Sequence, residues 1–141
     1  MASRSSSPTS SIRQGRTEPT IRPVPLEEVP AAALAEAYAL SAEHALVAVI
    51  APEDLVPELT RLTRRHDDVG LLERDAMTRP VTLVPAPSAK GLEFDAVVVV
   101  EPAAIAGGGR RGLRLLYVAM TRPIQHLSIV HGLPLPTQLT D

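Results

Sequence analysis

The chain has no cysteine and no tryptophan, and only one phenylalanine and two tyrosines among its 141 residues. Without thiols there is neither a disulfide framework nor a thiolate metal site, which suits a cytoplasmic location. With Tyr38, Phe94 and Tyr117 as the whole aromatic complement, the core must be built from Val, Leu, Ile and Ala, and rows of stacking platforms for bases are absent. No apolar run approaches the roughly 20 residues that span a bilayer, so no membrane association is expected. A formal net charge of -2 gives no broad basic field, so DNA is expected to bind only weakly to this chain by itself. Lysine is nearly missing too: Lys90 is the one Lys among 14 basic residues, the rest being Arg.

What is present divides into a tail and one small domain. Residues 1–30 carry a Ser-rich start, Arg4, Arg13 and Arg16, and prolines at 8, 19, 23, 25 and 30. Such a composition buries too little apolar surface to offset the entropy of ordering, and residues 1–30 are expected to be a disordered Ser/Arg/Pro-rich tail. It has neither the apolar stripe of a targeting helix nor the hydrophobic core of a secretory signal. Residues 31–141 are long enough for one domain with a modest core.

Within that domain, the Ala/Leu-rich stretch Ala31 to His44 predicts a helix, and the apolar run Ala45 to Ile50 a buried strand. Pro52, Glu53 and Asp54 then open a helix with Leu55, Leu59 and Leu62 on one face and Arg61, Arg64 and Arg65 opposite, a basic cluster that reads as a solvated helix face. Further strands are expected at Val81 to Pro85, at Phe94 to Glu101 and at Leu127 to Val130. The run Val97 to Val100 has no polar alternation, as in a strand covered on both faces. Residues 106–112, with Gly107, Gly108, Gly109, Arg110 and Arg111, read as a flexible surface loop, since the spacing of a dinucleotide fingerprint is missing. Beyond it Leu113, Leu116, Tyr117 and Met120 recur at helical spacing and predict one buried face. His126 and His131 flank the last strand with no carboxylate or Cys at ligand spacing, so no metal site is expected.

Two segments are far more specific than the rest. Ser88 to Asp95 read Ser-Ala-Lys-Gly-Leu-Glu-Phe-Asp, and Leu116 to Arg122 read Leu-Tyr-Val-Ala-Met-Thr-Arg. The first resembles motif V and the second motif VI of the UvrD/Rep-type superfamily 1 helicases, in the C-terminal of their two RecA-like motor domains. The order and the intervening hydrophobic strand match as well. Similarity extends over about residues 45 to 136, and the run around Ala89-Lys90-Gly91 with the closing Gly132 to Pro136 is similar to the actinobacterial HelD-like, RNA polymerase-associated branch.

The resemblance implies an α/β, RecA-like P-loop NTPase-type three-layer domain with a mostly parallel sheet, lacking the half that carries the phosphate loop. It implies that Lys90 lies near the phosphates of ATP, that Glu93 contacts the nucleotide sugar, that Gly91 permits close approach of the backbone, and that Thr121 joins the nucleotide-binding set. Arg122 would be the arginine finger, whose planar guanidinium stabilises charge developing on the transferring phosphoryl group. Taken as residues alone, Lys90 fits equally well an exposed turn ion pair worth under about 1 kcal/mol.

Departures from the family pattern are as informative. No Gly-x-x-x-x-Gly-Lys-Ser/Thr loop occurs, nor an Asp-Glu pair after a hydrophobic strand, so Mg2+ and the grip on ATP would belong to a missing domain. Ala51-Pro52-Glu53-Asp54 does not match the Arg-bearing motif IV, and Pro85-Ala86-Pro87-Ser88 stands where DNA-translocating relatives carry a Thr or His. Pro123 follows the finger in place of Ala and restricts the backbone of Arg122. The chain resembles half of a motor: a truncated product, an excised domain or a stand-alone remnant. Two functions follow. One is a helicase fragment that completes an ATPase with an N-terminal motor domain. The other is a non-catalytic module that docks on RNA polymerase or a partner helicase.

Overall fold

A computed structural model describes residues 18–64, 69–71, 79–107 and 109–139. Its strands are β1 (Thr20–Pro23), β2 (Val47–Ala51), β3 (Val69–Leu71), β4 (Val81–Pro85), β5 (Phe94–Val100) and β6 (Pro123–His131). They form one sheet in the order β1-β6-β5-β2-β4-β3. All five neighbouring pairs are parallel. The helices are α1 (Val29–Ser41), α2 (Val56–Thr63), α3 (Pro102–Ala106) and α4 (Arg110–Met120).

A parallel sheet needs cover on both faces, and the strand alternation supplies it. Val47, Val49 and Ala51 of β2 and Ala96, Val98 and Val100 of β5 meet Val29, Leu34 and Leu59 of α1 and α2. The intervening Ala48, Ile50, Val97 and Val99 face the other way, against Ile105, Leu116 and Ala119 of α3 and α4. Each buried Val contributes on the order of 1.5 kcal/mol or more. Many small contributions of this kind replace the few large aromatic ones that the composition denies. Phe94 alone among the aromatics is fully buried.

The chain leaves β2 through α2 on one face and leaves the adjacent β5 through α3 and α4 on the other. This makes β2 and β5 the point where the winding reverses. Between β4 and β5 no long helix intervenes. Residues 86–93 run back beside β2, with Ala86 and Ala89 buried among Ala48, Ile50 and Phe94.

Several sequence expectations need correction. The tail assigned to residues 1–30 is too long: residues 1–17 lie outside the described residues, but Thr20–Pro23 is strand β1 and α1 begins at Val29. Composition misleads here because β1 is held by main-chain pairing to β6 and by polar contacts. Its Ile21 remains half-exposed. The expected loop at 106–112 contains the end of α3, and Arg110 to Gly112 already belong to α4. Gly112 is there for proximity, since a Cβ on it would stand 1.7 Å from the Ala106 carbonyl oxygen.

The buried face of α4 is also rotated from expectation. Leu116 and Ala119 are buried, whereas Tyr117 is 71% exposed and Leu113 is exposed. Small Gly112 and Ala119 let the helix settle on their side, which turns Tyr117 outward. Glu101 ends up just beyond β5, and β6 extends from Pro123 to His131, so His126 and His131 are strand residues. In the α2 region, Leu59 is buried with Leu55 and Leu62 packed beside it, and Arg61 pairs with Glu58 on the open face. Arg65 lies outside the described residues.

Candidate functional site

The two distinctive segments meet at the amino-terminal edge of β5 and β6. Strand β5 starts at Phe94 and β6 at Pro123, and these residues are register partners. Everything immediately upstream of both strands therefore converges: the 89–93 turn before β5, and the last turn of α4 before β6. The Phe94 amide donates to the Arg122 carbonyl at 3.3 Å.

Arg122 is half-buried between them. Its Nη1 donates to the Leu92 carbonyl at 3.1 Å, its Nε to the Val118 carbonyl at 3.0 Å, and its Nη2 to Thr121 Oγ1 at 3.3 Å. A guanidinium carries five N–H donors. This arrangement uses one on each nitrogen and leaves two for a ligand. Thr121 is exposed, and its hydroxyl donates back to the Tyr117 and Val118 carbonyls at 3.0 Å each. That contact closes the carboxyl end of α4 and commits the hydroxyl proton, so Thr121 retains only acceptor capacity.

Lys90, Gly91 and Glu93 are exposed on the turn. Gly91 has φ +83°, the left-handed region that favours glycine, and the Leu92 amide closes the turn onto the Ala89 carbonyl at 3.1 Å. A Cβ on Gly91 would meet nothing within 4 Å. Glycine is needed there for the backbone conformation. Among the described residues, neither Lys90 nor Glu93 forms an ion pair, so the turn ion pair is not realised.

Two carboxylates that sequence reasoning did not single out fix the two ends of β5, Asp95 at its start and Glu101 just beyond its end. Asp95 Oδ2 accepts from the Leu46 amide at 3.0 Å, and the Asp95 and Ala96 amides donate to the Leu46 carbonyl, which fixes the start of β5 against β2. Glu101 is buried at φ 50°, and its carboxylate accepts from the Gly132 and Leu133 amides where the chain leaves β6. A strand followed at once by Pro102 was the only hint of that turn in the sequence.

The carboxyl edge, where open α/β sheets ordinarily take ligands, is differently furnished. Glu27, Asp54, Glu58 and Glu101 line a depression there with Leu26 and Leu133. No glycine-rich phosphate turn stands at Ala51-Pro52-Glu53. Among the described residues, no cluster of three or more His, Cys, Asp or Glu could hold a metal, and no helix is long and apolar enough to cross a membrane.

A single parallel sheet in this strand order, layered between helices, defines an α/β domain of the RecA-like class. Residues 81–130, which include every candidate site residue, match the family model of the UvrD-like helicase C-terminal domain. The structure is similar to the crystal structure of the C-terminal domain of a possible DNA helicase from Lactobacillus plantarum WCFS1. The TM-score is 0.62 at 26% identity, over 86% of this chain and 77% of that one. It also shares its fold with the Sulfolobus solfataricus SWI2/SNF2 ATPase core in complex with dsDNA. There the TM-score is 0.58 at 11% identity, over 82% of this chain and 27% of that one. No curated protein matches the sequence.

Proposed function

We propose that the chain is the C-terminal motor domain of an ATP-driven superfamily 1 DNA helicase. In this reading Ser88 to Asp95 act as motif V, Leu116 to Arg122 as motif VI, and Arg122 as arginine finger to an ATP held by an N-terminal motor domain. Lys90 offers a compact positive charge to phosphate oxygens, Glu93 accepts hydroxyl hydrogen bonds from the sugar, and Gly91 and Thr121 shape the approach. Mg2+ would be held by the partner domain.

The observation that carries the reading is the meeting of both segments at the amino-terminal edge of β5 and β6. In parallel sheets the nucleotide's own domain presents its carboxyl edge. In this reading the domain completes the site from outside, and it offers the exposed Lys90 and the two spare donors of Arg122 at its amino-terminal edge. The test is ATP turnover by the chain combined with a motor domain that carries a phosphate loop. Arg122→Ala should lower turnover by about 10³-fold. Unchanged turnover overturns the finger.

A second reading, docking on RNA polymerase as in the HelD-like branch or on a partner helicase, draws support from exposed Tyr117, Ile124 and Leu113. Capture on the tagged chain from its own lysate separates the two. A recovered phosphate-loop polypeptide supports the motor, and RNA polymerase supports the docking module.

A further inference from the structure

We propose that Arg122 is also the positioning residue of the turn that carries Lys90 and Glu93, acting through the Leu92 carbonyl. The inference rests on the proposed function only for what that turn would contact. The geometry itself stands apart from any nucleotide. Lys90, Gly91 and Glu93 are exposed, and the turn has one internal backbone bond, from the Leu92 amide to the Ala89 carbonyl. Among the described residues, no side chain other than Arg122 hydrogen-bonds to residues 89–93.

The guanidinium works as a three-way pin. Nε is fixed to the helix at the Val118 carbonyl, Nη2 to Thr121 Oγ1, and Nη1 then projects to the Leu92 carbonyl. The Arg122 carbonyl simultaneously holds the Phe94 amide, so one residue grips the turn from its side chain and from its main chain. A planar fork can satisfy three acceptors in fixed directions, whereas an ammonium on a flexible stem cannot hold that pattern. The consequence bears on the finger test: Arg122→Ala deletes a phosphate ligand and loosens the turn at once, so lost turnover alone does not assign its cause.

Amide hydrogen exchange on the full chain, without nucleotide, measures the pin directly. In Arg122→Ala the Leu92 and Phe94 amides should exchange about tenfold faster, equivalent to about 1.4 kcal/mol of lost local stability. Arg122→Lys should speed the same amides by a smaller factor, a partial rescue. The amides of Val47–Ala51 in β2 should stay within about twofold, because local opening leaves the core untouched. Leu92 and Phe94 unchanged in Arg122→Ala would overturn the proposal, as would an equal acceleration across β2. Should Arg122→Ala not fold, Arg122→Lys decides on the same amides. Failure here leaves the finger standing, and failure of the turnover test leaves the pin standing.

Discussion

Ser128 on β6 donates a 2.6 Å hydrogen bond to Oε2 of Glu36 on α1, joining residues 92 positions apart in a buried setting. The other carboxylate oxygen of Glu36 takes Arg22 Nε at 2.6 Å. One buried carboxylate thus ties the last strand to the first strand and to the helix that covers the sheet. Such a charge is tolerated only because both oxygens are engaged.

Removing it should be costly. Glu36→Ala leaves the fully buried Ser128 hydroxyl without its partner and is expected to destabilise the fold by about 2 to 3 kcal/mol. Glu36→Gln keeps an acceptor for Ser128 and should cost less. Urea unfolding of both variants checks the order, and equal midpoints for the parent and Glu36→Ala would remove the bond from the account of stability.

Gly112 and Gly109 should respond in opposite ways. Gly112→Ala drives a Cβ into the Ala106 carbonyl and should cost about 3 kcal/mol or more, as overpacking against backbone does. Gly109 is extended, open around its Cα, and sits at the amino-terminal cap of α4. Gly109→Ser should therefore be neutral or stabilising by roughly a few tenths of a kcal/mol. Thermal midpoints of the two variants give the comparison.

Acid should loosen the β6 edge. Burial, and then the neighbouring His44, hold the His126 pKa below 6.5, against the opposing pull of Glu36 and Glu43. The two imidazoles stack with centroids 6.5 Å apart, and His126 shares a 3.1 Å hydrogen bond with Thr20 of β1. A base whose folded pKa is depressed takes up a proton on unfolding. Its contribution is complete above about pH 6.5 and is lost as the pH falls from there toward the folded pKa. Stability should decline on acidification from about pH 7 to pH 5, and His126→Gln, which can still bond Thr20, should flatten that decline. A His126→Gln chain with the parent's pH profile would assign the slope elsewhere.

Glu101 makes a backbone prediction. Its left-handed φ is unusual for a residue with a Cβ and is held by the carboxylate contacts to Gly132 and Leu133. Glu101→Gly relieves the conformation but frees both amides, while Glu101→Ala keeps the strain and loses the contacts. Of the two, Glu101→Ala should be the less stable, by about 1 kcal/mol in chemical denaturation.

Strands β2, β4 and β5 were legible in the sequence because short Val-rich apolar runs bounded by proline say "buried strand" without any help from tertiary structure. The segments Ser88 to Asp95 and Leu116 to Arg122 stood out for a different reason, since their residue types are unusual together. What stayed hidden depends on partners distant in the chain. Strand β1 has no apolar pattern of its own and exists because β6 leaves an edge open. The orientation of Tyr117 was decided by Gly112 and Ala119 on the far side of α4, which helical spacing of large apolar residues does not register. The grip of Arg122 on Leu92 spans 30 positions, and no local pattern announces a bond to a backbone carbonyl.

Strand β1 lies beside β6, with Thr20 level with Ser128. During synthesis the ribosome releases β1 long before β6, its neighbour in the sheet among the described residues, exists. Until β6 emerges, residues 20–23 have no ladder to join, and Arg22 and Thr20 wait for their companions. Strand β1 therefore cannot take its place in the sheet before β6 does. An assembly that pauses late leaves the outer edge of β6 bare, open to a strand from a neighbouring nascent chain.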